Sequence, residues 1–489
     1  MMLIIESNVS IKEIAMTKKI AIAYDGAGTE ISVPETARVI QYGTPAFPEI
    51  PIHPNPKMAV KEALANPVGM ERIPELVKQG SKVTLAFDDP AKCPEPSQVL
   101  RVIIPVVISE LLEAGVREED ITLVCATGAH CKWRPNELRA LIGPEVYKQF
   151  RPFDWREGRL INHDCTQGNV YLGETSLGDE VEYDKALVES DLLVYAGTIY
   201  PLAYGGYAGQ GVAIGLGSMR ALNSLHSYEV FRTATALSGE YQPEKNIYRK
   251  HKLAVHEKIE DAIGKKIFYV DAITGPQQKI LAVFAGHVPE LEKVEYPEAD
   301  KYFKVKVPQV DIMVVGLPYL MGYDTSDNPA CACNYAAQSA RLWRNKPVLR
   351  ENGIIIALAR CSGAISPRRP ADLEAFELYR DCFSARELYD YTDSFCNNQE
   401  YLYQYQHDYA YSPIHSILLL QNVDALHKVA RRTIFAGEVN PSVIREIGAI
   451  PVKSFDEALA QATEIVGKDA DILVLPRHYY DPRPIFEVT

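Results

Sequence analysis

The sequence predicts an α/β protein of two domains, each built on a mainly parallel sheet, with a cleft between them. Three observations predict it. Strand-like apolar runs alternate with helix-like ones from "KVTLAFDD" through "SQVLRVIIPVVISELLEAGV", "DITLVCATGAH" and "ESDLLVYAGT", and such recurrence builds right-handed parallel crossovers. The alternation resumes near residue 300 with "VDIMVVGLP" and "NGIIIALARCSG" and runs to "DILVLP". Finally, 489 residues exceed what one ordinary core holds. The expected division is residues 1–300 and residues 301–489, with the last residues weighed as a return to the N-terminal domain.

The first elements read as short strands and turns, "KIAIAYDG", "TEISVP" and "ARVIQYG", then the proline-rich connector "TPAFPEIPIHPNP". Each proline there pushes its predecessor out of the helical region. One or two helices follow over residues 57–80. Gly115 stops the helix of "SQVLRVIIPVVISELLEAGV". In the second half, Asn328 caps and Pro329 opens a helix over "DNPACACNYAAQSARLWR". Residues 370–410 read as helical and tyrosine-rich, and Ser454 with Glu457 gives a capping-box pattern before "ALAQA".

Composition excludes some functions. A net charge of −13 argues against non-specific nucleic-acid binding. No window of 18 apolar residues argues for a membrane span. The first residues, "MMLIIESNVSIKEIAM", lack the basic start and cleavage site of a secretory signal; residues 1–15 read as an upstream extension before Met16. Nine cysteines in such a chain suggest reduced thiols and a cytoplasmic setting. The expected partner is a small molecule.

In open α/β sheets, ligands bind beyond the carboxyl ends of the strands. Three strands here end in "DDPAK", "TGAH" and "YPLAYGGYAGQG", so their chemistry gathers at one edge. Asp89 and Lys92 can face one pocket, where Lys92 would hold a carboxylate as a point charge; the alternative is a helix start capped by Asp89. His130, just past a strand and a glycine, is a candidate general acid or base. In "INHDCTQGN", His163 and Asp164 point to opposite faces of a strand, and a turn in which Asn162 and Asp164 bond the backbone is the better reading. Cys93, Cys131 and Cys165 lie beside these motifs, but with His130 and His226 their spacing matches no zinc finger or ribbon.

The run "YPLAYGGYAGQGVAIGLGSMRALNSLH", residues 200–226, is neither a Walker loop nor a dinucleotide fingerprint. Its backbone, at Gly205, Gly206, Gly209, Gln210 and Gly211, still suits a cradle for a phosphate or a flat ring. Tyr204 or Tyr207 would stack on the ligand, and His226 would return to the pocket. The alternative is close helix–sheet packing.

The order of these parts resembles the nickel-dependent lactate racemases and their relatives. That family has an Asp-x-x-Arg turn after one strand, a Thr-Gly-x-His element after the next, a Pro-His-x-x-x-Gly-Phe-Ser-Gly-Gly-x-Lys loop, then a histidine. The resemblance implies that Asp89 and Lys92 take the substrate carboxylate, with Lys for Arg. It implies that His130 is a proton-transfer residue and that the glycine loop with Gly206 and Gly209 frames a nickel-pincer nucleotide. His226, about two residues early, matches the metal-binding histidine. The chain departs from the family at Leu202, where a second proton-transfer histidine stands, and at Val212, where a lysine tethers the cofactor. A Gln-x-x-Lys pair of the second domain has no clean counterpart.

Three functions follow as expectations. The first is a divergent racemase or epimerase of a 2-hydroxy acid or sugar acid, holding the nickel-pincer nucleotide without a covalent lysine. The second is a metal-dependent isomerase or lyase without that cofactor, using His130, His226 and His163. The third is a non-catalytic ligand-binding protein on the same fold.

Overall fold

The computed structural model describes residues 16–93, 97–151, 158–231 and 246–489. The expected extension over residues 1–15 lies outside them. Two six-stranded sheets organise the rest.

The first sheet runs, edge to edge, Ile280–Gly286, Phe268–Thr274, Leu192–Ile199, Val83–Asp88, Ile121–Ala126 and Leu160–Asn162. All pairs are parallel except the hairpin of the first two. Every residue of Val83–Asp88 and of Leu192–Ile199 is buried, as strands covered on both faces require. The helix Val99–Glu113 packs its apolar stripe, including Ile103, Val107 and Leu111, against this sheet.

The second sheet is parallel throughout: Ile450–Val452, Arg432–Ala436, Leu349–Leu358, Val310–Gly316, Ile472–Leu475 and Arg38–Val39. The edge strand Arg38–Val39 and the hairpin Thr17–Ile22/Thr29–Pro34 come from the start of the chain, yet Ile22, Ile31 and Val33 pack with Val314, Ile356 and Val474. Lys304–Val307 pairs in parallel with Ile485–Val488. Two helices cover the face toward the first sheet, Pro329–Arg341 and Pro413–Val429. Asn328 caps the former by accepting from Ala330 N and Cys331 N. Ser454 caps the helix Phe455–Val466 by accepting from Glu457 N at 3.3 Å.

Candidate functional site

The carboxyl ends of three first-sheet strands meet the helix Pro413–Val429 around a cavity of about 140 Å³. One wall carries Lys92, Thr127, His130 and Tyr200; the other carries Tyr323, Asn334, His415 and Asn422.

Asp88 and Asp89 end one strand and do different work. Asp88 accepts from Thr198 N at 2.9 Å, Thr198 Oγ1 at 2.8 Å, Tyr195 Oη at 2.7 Å and Lys92 Nζ at 3.0 Å. Burial opposes the charge on Lys92, but Asp88 and Asp89 outweigh it and hold the ammonium above the usual lysine range. Lys92 therefore reaches the cavity as a fixed cation. Asp89 is fully buried and does not line the cavity. Its Oδ2 faces His130 Nδ1 at 2.7 Å and accepts from Trp133 Nε1 at 3.0 Å. The substrate-facing role expected of Asp89 becomes that of an orienter: it takes the Nδ1–H of His130, the tautomer in which Nε2 is the acceptor.

His130 leaves its strand through a tight turn. Gly128 has φ +53°, and a Cβ there would lie 2.6 Å from Ile214 O, so glycine is required. His130 N donates to Thr127 O at 2.9 Å, closing the turn.

Facing His130 is a histidine that sequence reasoning did not single out. His415 lies in the first turn of Pro413–Val429, its ring centroid 5.3 Å from that of His130. Arg369 Nη2 approaches His415 Nδ1 at 2.9 Å. A guanidinium only donates, so Nδ1 accepts and the proton sits on Nε2. Burial first, then the charge of Arg369, pushes the His415 pKa well below the usual imidazole value. Arg369 is locked in turn by Asp372, which also accepts from Ser416 Oγ at 2.6 Å and Asn328 Nδ2 at 2.9 Å. The Tyr323 ring packs on both histidines, at 5.2 and 5.1 Å. The two imidazoles thus present complementary atoms, an acceptor on His130 and a donor on His415.

A second unforeseen residue is Lys252, on the helix Ile247–Ile263. It lines the cavity and donates to Gly209 O at 2.6 Å. Burial, opposed by Glu292 and aided by the like charges of Lys92 and Arg249, brings its pKa down to about 8.

The glycine loop divides. Gly209 borders the cavity, with φ +151°, where a Cβ would meet Tyr296 Oη at 2.7 Å. Gly205 and Gly206 shape the turn between Pro201–Leu202 and Gly206–Tyr207 and do not reach the cavity. Gln210 is buried and donates to Glu292 Oε1 at 2.8 Å, and Gly211 packs against the Tyr195 ring. Here the packing alternative describes the geometry better than a cradle. Tyr204 lines the cavity, its hydroxyl 2.7 Å from Asn422 Oδ1. Tyr207 turns away into the core and donates to Asp300 Oδ1 at 2.6 Å.

His226 does return to the cavity. Its Nδ1 donates to Leu222 O at 3.0 Å, and its Nε2 accepts from Tyr248 Oη at 3.1 Å. Burial lowers its pKa to about 4, so it is a neutral imidazole with a lone pair available only if Tyr248 yields. Among the described residues, no set of three metal-ligating side chains gathers around it; the set that does form lies elsewhere. His163 is absent from the cavity. It is fully buried between Asp184 Oδ2 at 2.8 Å and Gly217 O at 2.9 Å, while Asp164 and Asn162 bond backbone N–H groups of Thr166 and Trp133.

Two mainly parallel sheets thus enclose, at their facing edges, a cavity lined by three imidazoles, two lysines and apolar side chains. Residues 24–238 match the lactate racemase N-terminal domain. The chain is 23% identical over 422 residues to the lactate racemase of Thermoanaerobacterium thermosaccharolyticum, covering 85% of this chain and 88% of that one. Its fold superposes on the lactate racemase apoprotein from the same organism with a TM-score of 0.70, at 19% identity, over 96% of this chain and all of the other. A protein from Thermotoga maritima is similar at a TM-score of 0.55 and 13% identity, over 89% and 98% of the two chains. The similarity runs over most of the chain at low identity, and the fold is shared with the lactate racemase apoprotein.

Proposed function

We propose that this chain is an isomerase of small hydroxy acids, of racemase or epimerase type, with His130 and His415 as its acid–base pair. The observation that carries the reading is their opposed protonation: Asp89 directs an acceptor nitrogen of His130, and Arg369 a donor nitrogen of His415, into one cavity. His130 takes the proton from the substrate Cα, His415 Nε2–H hydrogen-bonds the oxygen on which negative charge develops, and His130 then returns a proton to Cα of the planar intermediate on whichever face that intermediate presents. Lys92 and Lys252 supply positive charge for the carboxylate. The nine unpaired cysteines and the absence, among the described residues, of a helix able to cross a membrane support a cytoplasmic setting.

The nickel-pincer nucleotide implied by the resemblance does not fit the residues present. Val212, at the tether position, is fully buried in an apolar cluster. The cavity of about 140 Å³ is smaller than the roughly 300–1,000 Å³ of ordinary ligand sites. Both ring nitrogens of His226 are engaged.

The test is to incubate the protein with small 2-hydroxy acids in deuterium oxide and to measure metal content and absorbance of the same preparation, made with and without the enzymes that build the cofactor. Proton transfer by the histidines places deuterium on the stereocentre. Turnover that retains protium, with about one nickel per chain and a visible band, would replace this mechanism by hydride transfer.

A further inference from the structure

Away from the cavity, three side chains that the proposed reaction does not use converge. His256 and Glu260 stand one turn apart on Ile247–Ile263, hence on one face. His287 follows the edge strand Ile280–Gly286. Their ligating atoms all lie within 4.8 Å of one another.

The protein's own hydrogen bonds leave this cluster unbalanced. His256 is 1% exposed, and its Nε2 has no partner; it lies 3.8 Å from Glu260 Oε1, beyond hydrogen-bond reach. A buried ring nitrogen without a partner is costly. His287 has the opposite excess. Its Nδ1 faces Glu290 Oε2 at 3.1 Å and its Nε2 faces Glu260 Oε2 at 2.8 Å, so both nitrogens meet carboxylates. Glu260 Oε1 is held by Ile267 N at 2.8 Å, which fixes the carboxylate. Burial lowers the His256 pKa to about 4, leaving a neutral imidazole suited to ligation.

We propose that His256, Glu260 and His287 bind a divalent transition-metal cation of zinc type. Two imidazoles and one carboxylate are a common zinc donor set with a fourth position open. The ion would give His256 Nε2 its missing partner and take the place of the proton between His287 and Glu260. Glu290 then completes a carboxylate–histidine–metal arrangement that fixes the ring and its tautomer. The site would pin the helix carrying Lys252 and Tyr248 to the end of the edge strand, and so steady one wall of the cavity.

Full-length protein stripped with a chelator and titrated with Co²⁺ alone, then Zn²⁺ alone, tests this. One equivalent of Co²⁺ should bind with visible d–d bands, and Zn²⁺ should displace it. Glu260→Gln and His287→Gln should each weaken Co²⁺ binding at least tenfold, whereas His226→Ala should leave it unchanged. Melting of the metal-free proteins is recorded in parallel; Zn²⁺ should raise the melting temperature of the parent and not that of the near-isosteric Glu260→Gln. An absence of stoichiometric binding, or binding that both Gln variants keep at full strength, overturns the proposal.

Discussion

The two walls of the cavity are made by different means. The N-terminal wall is built at strand ends, where Lys92, His130 and Tyr200 follow buried parallel strands and are released by turns. The C-terminal wall rests mainly on the helix Pro413–Val429, buried over most of its length, where His415 and Asn422 stand beside Leu418 and Leu419; Tyr323 and Asn334 complete it. A strand end announces its chemistry locally, because the fold forces such ends to an open edge. A polar residue on a buried helix reads as core until its neighbours are known. The difference also divides the labour: the strand-end histidine is set by a carboxylate, the helix histidine by a guanidinium.

Breaking the comparison at its strongest point, His130→Ala should lower kcat about 10²–10⁴-fold, read by chiral chromatography of the hydroxy-acid products. His415→Ala should cost about 10²–10³-fold as a lost donor. His415→Gln keeps an N–H and should recover part of that loss, whereas His130→Gln should recover none; equal rescue at both would erase the assigned roles. Lys252 sharpens the electrostatic side. With its pKa held at about 8 by burial, it is charged below that pH and neutral above, so KM for an anionic substrate should rise about tenfold as pH passes upward through 8. Lys252→Met should abolish that limb of the profile.

The remaining effects separate packing from chemistry. Gly211→Ala drives a methyl group into the Tyr195 ring and should destabilise the fold by about 1–3 kcal/mol, measured by urea unfolding. Tyr207→Phe removes the bond to Asp300, which keeps Arg344 Nη2 at 2.7 Å. It should cost about 1 kcal/mol and leave kcat unchanged, since Tyr207 does not border the cavity.

The α/β class and the strand-end cluster were legible in the sequence because both follow from local patterns: apolar runs of strand length, and the glycine–histidine release after Ile121–Ala126. The glycine loop was only half legible. Its density signalled close approach, but whether each glycine approached a ligand or a neighbouring ring depended on Tyr195 and Tyr296, remote in sequence. His415 was invisible for a related reason. "YSPIHSILLL" fell between the segments read as helix and strand, and the face that meets His130 is chosen by contacts across two sheets. Lys252 was hidden likewise in "HKLAVHEKIE", an ordinary charged helix by composition.

The small edge strand Arg38–Val39 carries a consequence for how the molecule is made. Among the described residues it pairs with Ile472–Leu475 alone, so this strand waits for a partner made far later in the chain. Such long-range pairing is slow and leaves strand edges open meanwhile. During synthesis the first sheet can be complete while the hairpin and edge strand before it still lack their partner. The growing chain therefore carries an unpaired strand edge until Ile472–Leu475 has been made, and shielding by a chaperone matters most for Arg38–Val39 in that interval.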